Sequence, residues 1–207
     1  MTALASLLDR VESGEPLPTD PWLSVLPAPP GDPVVLSFPG RIVVAADLDE
    51  RWVLDQIPDG DLSAPMNPPF LHALEQKLGR RVNNIDGLYL APCATGAPGL
   101  PLREVDDLDH PRVRRARRYR PQLRVWAADG GVVVVGRGVA GRWEAAIEVD
   151  PEHRDRGVGR ALAAAARHLG PGDRPLWAQI APGNAASVRA FLAAGYRPVG
   201  AEALLVR

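Results

Sequence analysis

A six-residue loop, Arg154-Asp155-Arg156-Gly157-Val158-Gly159, stands between an extended run ending at Val149-Asp150-Pro151 and an alanine-rich segment of helical period. That order is strand, glycine turn, helix, and it fixes where the first helical N–H groups point. Those amides have no partner within the helix, and with the positive end of the helix dipole they attract anions. Gly157 and Gly159 lack the side chains that would hold a phosphate off the backbone, and they permit positive φ angles. Arg154, Arg156 and Arg160 add formal charge at the same place. The layout is that of a diphosphate cradle. A plain tight turn has the same glycine pattern, so the reading needs support from elsewhere in the chain.

The support is Asn184-Ala-Ala-Ser-Val-Arg-Ala-Phe-Leu-Ala-Ala-Gly195-Tyr196. R-x-x-G-x-G followed by N-x-x-S-x-x-x-F-x-x-x-G-Y resembles the GNAT superfamily of N-acetyltransferases, over about residues 102–207. The resemblance implies acetyl-CoA as acyl donor, with the coenzyme A pyrophosphate on the first motif and the second motif as a helix beside the pantetheine and thioester. It implies a mixed, strongly twisted sheet in which the cofactor enters where two neighbouring strands splay apart. The strand Arg142–Val149 would supply backbone hydrogen bonds to the pantetheine arm and an N–H for the oxyanion, near Ile147–Val149. The cofactor-binding set it implies is Ile147, Val149, Arg154, Arg156, Gly157, Val158, Gly159, Arg160, Asn184 and Phe191.

Acetyl transfer needs a neutral amine, a stabilised oxyanion and a leaving thiolate. Glu144 and Glu148 lie on one side of the Arg142–Val149 strand, because residues two or four apart share a face. Carboxylates on this strand serve some members of the family as a base; a polar outer sheet face explains them equally well. Of the two, Glu144 is preferred, being farther from the diphosphate. Asn184 follows Pro182-Gly183 and suits a helix N-cap, a role compatible with the cofactor contact that the resemblance implies. Where many family members have a tyrosine that protonates the thiolate, this chain has Phe191, so the general acid is left open. Tyr196 is expected in the core.

Turn signals and periodicity predict a helix over 3–12 and a proline-rich connector from Pro16 to Pro33, whose prolines forbid regular helix and favour an extended or turn-filled path. Strands follow at 34–38 and 41–45, then helices at 47–57 and 68–78 and a strand at 85–90. After a Pro92–Pro101 linker the order is strand 102–105, helix 110–119, strands 123–127, 132–137 and 142–149, helix 158–169, strand 176–180 and helix 184–194. Two short strands close the chain, through Val199 and at 204–206. The expected class is α/β, in the sense of an α+β mixed sheet. A GNAT acyltransferase fold occupies 100–207, and a smaller α+β domain occupies 1–95, with a degenerate GNAT-like half as one reading of it. No internal repeat marks such a copy.

Charge divides unevenly. Residues 1–100 carry six basic and thirteen acidic side chains (−7), and residues 101–207 carry eighteen and twelve (+6). The asymmetry suits two lobes that attract each other, or a lobe that handles anions. Its densest feature is Arg112-Val-Arg-Arg-Ala-Arg-Arg-Tyr-Arg120, preceded by Asp106, Asp107 and Asp109. Either this helix is a solvated face that pairs with the acidic half, or it borders the acceptor cleft. The net charge of −1 and the lack of interleaved aromatics disfavour nucleic acid as partner. The single Cys93 rules out an internal disulfide framework and fits a cytoplasmic location. His72, His110, His153 and His168 have no metal-ligand spacing, and no segment reads as a membrane span or signal peptide. The function expected is N-acetyl transfer from acetyl-CoA to a small-molecule or peptide amine by direct attack. A non-catalytic acyl-CoA sensor and an interaction protein using the Arg112–Arg120 helix are the alternatives. The N-terminal domain would wall the acceptor site or support a homodimer.

Overall fold

The computed structural model describes residues 2–58, 60–106 and 109–207. The chain forms two compact units, residues 1–88 with 199–207, and residues 89–198. The closing strand therefore belongs with the first unit, whereas a cut near 95–100 assigns it to the second.

In the first unit, α1 (Ala3–Ser13) buries Leu4, Leu8 and Val11 on one stripe, and the Thr2 side chain caps its start by accepting from the Ala5 N–H. β2 (Val34–Phe38) and β3 (Arg41–Ala45) form the expected hairpin, and α3 (Pro68–Leu78) stops at Gly79 as the sequence predicts. α2 is shorter than expected, Glu50–Asp55, because Asp49 caps it by accepting from the Trp52 N–H. The proline-rich connector contains a strand, β1 (Leu23–Leu26), running parallel to β3 at the end of the strand order β1-β3-β2-β10. Prolines flank this strand without interrupting it, which an edge position tolerates. The two closing strands are one, β10 (Arg197–Val206), antiparallel to β2. Gly200 breaks the apolar pattern there because its Cα lies against the Ser37 carbonyl, leaving no room for a Cβ. β4 (Arg81–Ala91) begins four residues earlier than predicted and leads into the second unit.

The second unit contains β5 (Arg103–Glu104), α4 (Pro111–Tyr119), β6 (Arg124–Ala128), β7 (Gly131–Arg137), β8 (Trp143–Val149), α5 (Val158–Ala166), β9 (Leu176–Ile180) and α6 (Ala185–Ala193). Its strands run β9-β8-β7-β6-β5, antiparallel except for the parallel pair β8–β9. Alternation along the strands divides their side chains between two layers. Val133, Val135 and Ala145 pack with Leu162 and Ala163 of α5 and Phe191 of α6, whereas Val125, Val134 and Ala146 pack with Val113 and Ala116 of α4. Of the acidic residues noted before α4, Asp107 lies outside the described residues. Among the described residues no helix is long and apolar enough to cross a membrane.

Candidate functional site

β8 ends at Val149, and a short 3₁₀ turn, Pro151–His153, leads to Arg154. Asp155 (φ 59) and Gly157 (φ 81) are both left-handed, and α5 begins immediately after them. Gly157 occupies the N-cap and provides no side-chain cap. The first helical bond runs from the Ala161 N–H to the Gly157 carbonyl (3.1 Å), so the amides of Val158, Gly159 and Arg160 precede the helical ladder. A Cβ built on Gly157 would meet nothing within 4 Å, whereas one on Gly159 would touch Val149 and Ala190. The end of β8, the start of α5 and the flank of α6 converge there.

β8 is paired with β7 along its whole length, from Trp143↔Arg137 to Val149↔Gly131. Toward β9 the ladder is a single position, Glu144↔Trp177. Beyond it the two parallel strands continue without a paired register, leaving the second edge of β8 to the cleft. That cleft has a volume of about 700 Å³. Ile147, Glu148 and Val149 line it from β8, and Arg154, Asp155, Gly157, Gly159 and Arg160 from the turn and α5. Asn184, Ala186, Ser187, Arg189, Ala190 and Ala193 line it from the α6 side, and Arg112 from α4.

Of the expected cofactor residues, the cleft therefore gathers Ile147, Val149, Arg154, Gly157, Gly159, Arg160 and Asn184. Asn184 also caps α6, its Oδ1 accepting from the Ser187 N–H (3.1 Å). The side chains of the other three expected residues lie outside the lining. The Arg156 side chain is exposed and does not line the cleft, and Val158 packs against the core. Phe191 is buried, with its ring edge-on to Tyr196 at 4.8 Å, so α6 presents its alanines to the cleft instead. Residues 186, 189, 190 and 193 stand three and four apart and so share one face of α6, which lines the cleft. Tyr196 is core, as expected, and its hydroxyl is buried with no hydrogen-bond partner among the described residues. Burial raises its pKa. Tyr196→Phe removes an unsatisfied group and is expected to stabilise the protein by about 1 kcal/mol, a Tm rise of roughly 2–4 °C in thermal unfolding.

The two carboxylates of β8 have different surroundings. Glu144, 3% exposed, accepts from Arg120 Nε (2.8 Å), Arg142 Nε (2.8 Å) and Gln179 Nε2 (2.6 Å). The backbone at Gly138 closes over it so tightly that a Cβ there would fall on the carboxyl group. Burial raises the pKa of Glu144, but the guanidinium groups of Arg142 and Arg120 outweigh it and hold the group below its ordinary value. Glu144 is thus a buried, ion-paired carboxylate outside the cleft lining. Glu148 is half-buried in the cleft wall, with Arg112 Nε donating to it at 3.0 Å. Arg112 and Arg189 were absent from the expected site. With Arg154 and Arg160 they give the lining four guanidinium groups against the carboxylates of Glu148 and Asp155. The turn also brings ligating atoms of Asp150, Glu152 and His153 within 4.8 Å of one another, a grouping on the surface that histidine spacing alone did not suggest.

Residues 98–196 match the Acetyltransferase (GNAT) family model. No curated protein matches the chain. Similar solved structures include a GCN5-related N-acetyltransferase from Kribbella flavida, at 17% identity and a TM-score of 0.44, over 66% of this chain and 63% of that one. Another is a putative GNAT-family acetyltransferase from Novosphingobium aromaticivorans (17% identity, TM-score 0.41, 62% and 68%). A tandem GNAT protein from the clavulanic acid biosynthesis pathway aligns over 86% of this chain and 84% of its own, at 14% identity and a TM-score of 0.41. The match spans less than two thirds of the Kribbella protein.

Proposed function

We propose, on the premise that residues 98–196 form a GNAT acetyltransferase domain, that the protein transfers an acetyl group from acetyl-CoA to a primary amine. The observation that carries the reading is the meeting, in one cleft, of the uncapped start of α5 and the unpaired edge of β8. The acyl donor fits these features. The amides of Val158, Gly159 and Arg160 would donate to its diphosphate, with Arg154 and Arg160 supplying charge. The edge of β8 at Ile147–Val149 would hydrogen-bond its amide-containing arm, and Ala186, Ala190 and Ala193 leave it room.

In the proposed reaction the amine nitrogen bonds to the acetyl carbonyl carbon as the carbon–sulfur bond breaks, with no covalent enzyme intermediate. An N–H of β8 stabilises the carbonyl oxygen. The proton lost by the amine passes to Glu148, directly or through water, and the thiolate takes a proton from solvent, since Phe191 has none to give. The reading includes a cytoplasmic location, supported by the single cysteine.

Calorimetric titration with acetyl-CoA and coenzyme A at millimolar concentration tests the binding step, and absence of any binding ends the proposal. Glu148→Gln is expected to lower kcat by about 10²–10⁴ with donor affinity unchanged. An unaltered kcat would take the base assignment away from Glu148. A second reading, a non-catalytic acyl-CoA sensor, is favoured by Phe191 standing where an acid is usual and by the ion-paired state of Glu144. Saturable donor binding without thiol release across a broad amine panel would identify it.

A further inference from the structure

We propose that the exposed face of α4 is a docking ridge for an acidic polypeptide segment, and that the acceptor amine is carried on such a segment. The second clause rests on the transferase reading; the first does not. α4 is nine residues long and contains Arg112, Arg114, Arg115, Arg117 and Arg118, with Arg120 as its C-cap. Like charges three and four apart on a helix destabilise it, and here Arg112/Arg115, Arg114/Arg117, Arg115/Arg118 and Arg114/Arg118 all stand at those spacings.

The unit relieves part of this repulsion itself. Arg112 pairs with Glu148, Arg120 with Glu144 and Arg114 with Asp109, and Arg117 donates to the Asp106 carbonyl. Arg115 and Arg118 are exposed and have no ion pair among the described residues. Their position gives them a use. Arg112 lines the cleft, and Arg115 and Arg118 follow it at successive steps of three along the helix. At about 1.5 Å rise per residue the ridge runs roughly 9 Å from Arg112 to Arg118. It begins at the cleft and leads away from it.

Guanidinium groups present planar forks that match carboxylates two bonds at a time. In an extended peptide, side chains on one face recur about every 6.6–6.8 Å, so two acidic residues spaced by one fit the reach of Arg115 and Arg118. The ridge is too small for nucleic acid, which typically takes roughly 6–10 phosphate contacts, and the chain as a whole is net negative at −1.

The test is fluorescence anisotropy of a labelled peptide with a free N-terminus and alternating glutamates, against the same peptide with glutamines, using the full chain. Wild type is expected to bind the glutamate peptide roughly two- to thirtyfold more tightly, and Arg115→Ala/Arg118→Ala to remove the difference, since two exposed ion pairs are at stake. Acetyl-CoA affinity in the double variant should stay as in wild type, and Tm should not fall, since the substitutions remove like-charge neighbours from α4. Equal binding of the two peptides, discrimination that survives the double variant, or tighter binding of an oligonucleotide of equal charge would overturn the ridge. So would a change of oligomeric state in the variant, which would make a second copy the occupant. Thiol release in the presence of acetyl-CoA separates the two layers. Peptide binding with no release from any amine refutes the transferase reading and with it the acceptor role. Release without preference for the glutamate peptide refutes the acceptor role alone.

Discussion

Gly157→Glu is expected to abolish acetyl-CoA binding in a protein that remains folded. Gly157 stands at the N-cap of α5 with a left-handed backbone, lines the cleft, and faces open space where a side chain would begin. The new carboxylate would lie among the amides proposed to hold the diphosphate. Two unit charges about 4 Å apart repel by about 4 kcal/mol at an effective dielectric of 20, near a thousandfold in affinity. The left-handed conformation adds a cost to the fold of about 1–2 kcal/mol, within the margin of a typical domain. Gly157→Asn is the control, because asparagine tolerates that conformation and carries no charge. Calorimetry should find donor binding in Gly157→Asn and none in Gly157→Glu. Equal affinity in both would remove the diphosphate from this turn.

Glu144→Gln is expected to have the largest effect on stability. It preserves shape but leaves Arg142 and Arg120 without the carboxylate that both contact at 2.8 Å. Removing one partner of a buried ion pair costs about 3–5 kcal/mol, a large part of the roughly 5–15 kcal/mol that holds a domain together. Urea unfolding should show the loss as a lower midpoint at unchanged slope. The pH dependence has a definite sign. Because the pKa of Glu144 in the folded protein lies below its ordinary 4.5, its contribution is complete above that value and is lost as pH falls through the lower, folded one. Wild type should therefore lose stability in acid through this site, and the glutamine variant should lack that component. A variant as stable as wild type but without turnover would return Glu144 to catalysis.

The glycine turn, the capping asparagine and the alternation of β6 to β8 were legible in the sequence because each depends on neighbours within one or two turns of chain. The features that were not legible have a common origin. Glu144 and Glu148 share a face of β8, and Glu144 was preferred only for its distance from the diphosphate, yet Arg120 and Gln179, distant in sequence, reach Glu144 and Arg112 reaches Glu148. Phe191 matched a motif position beside the thioester but turned into the core against Tyr196, a choice made by packing. β1 was hidden by the prolines around it, because only its pairing with β3 makes an extended tetrapeptide into a strand.

The sequence by itself determined the order of the elements in the second unit, the free helix start at α5 and the charge gathered on α4. Periodicity, caps and glycine are local properties, and local interactions suffice to specify them. Only the tertiary structure decided that β8 and β9 share a single paired position, which carboxylate is consumed by arginines, and which arginines are left exposed. Those outcomes depend on which charges and edges meet across the fold, and a charge or a strand edge finds its partner through space rather than along the chain.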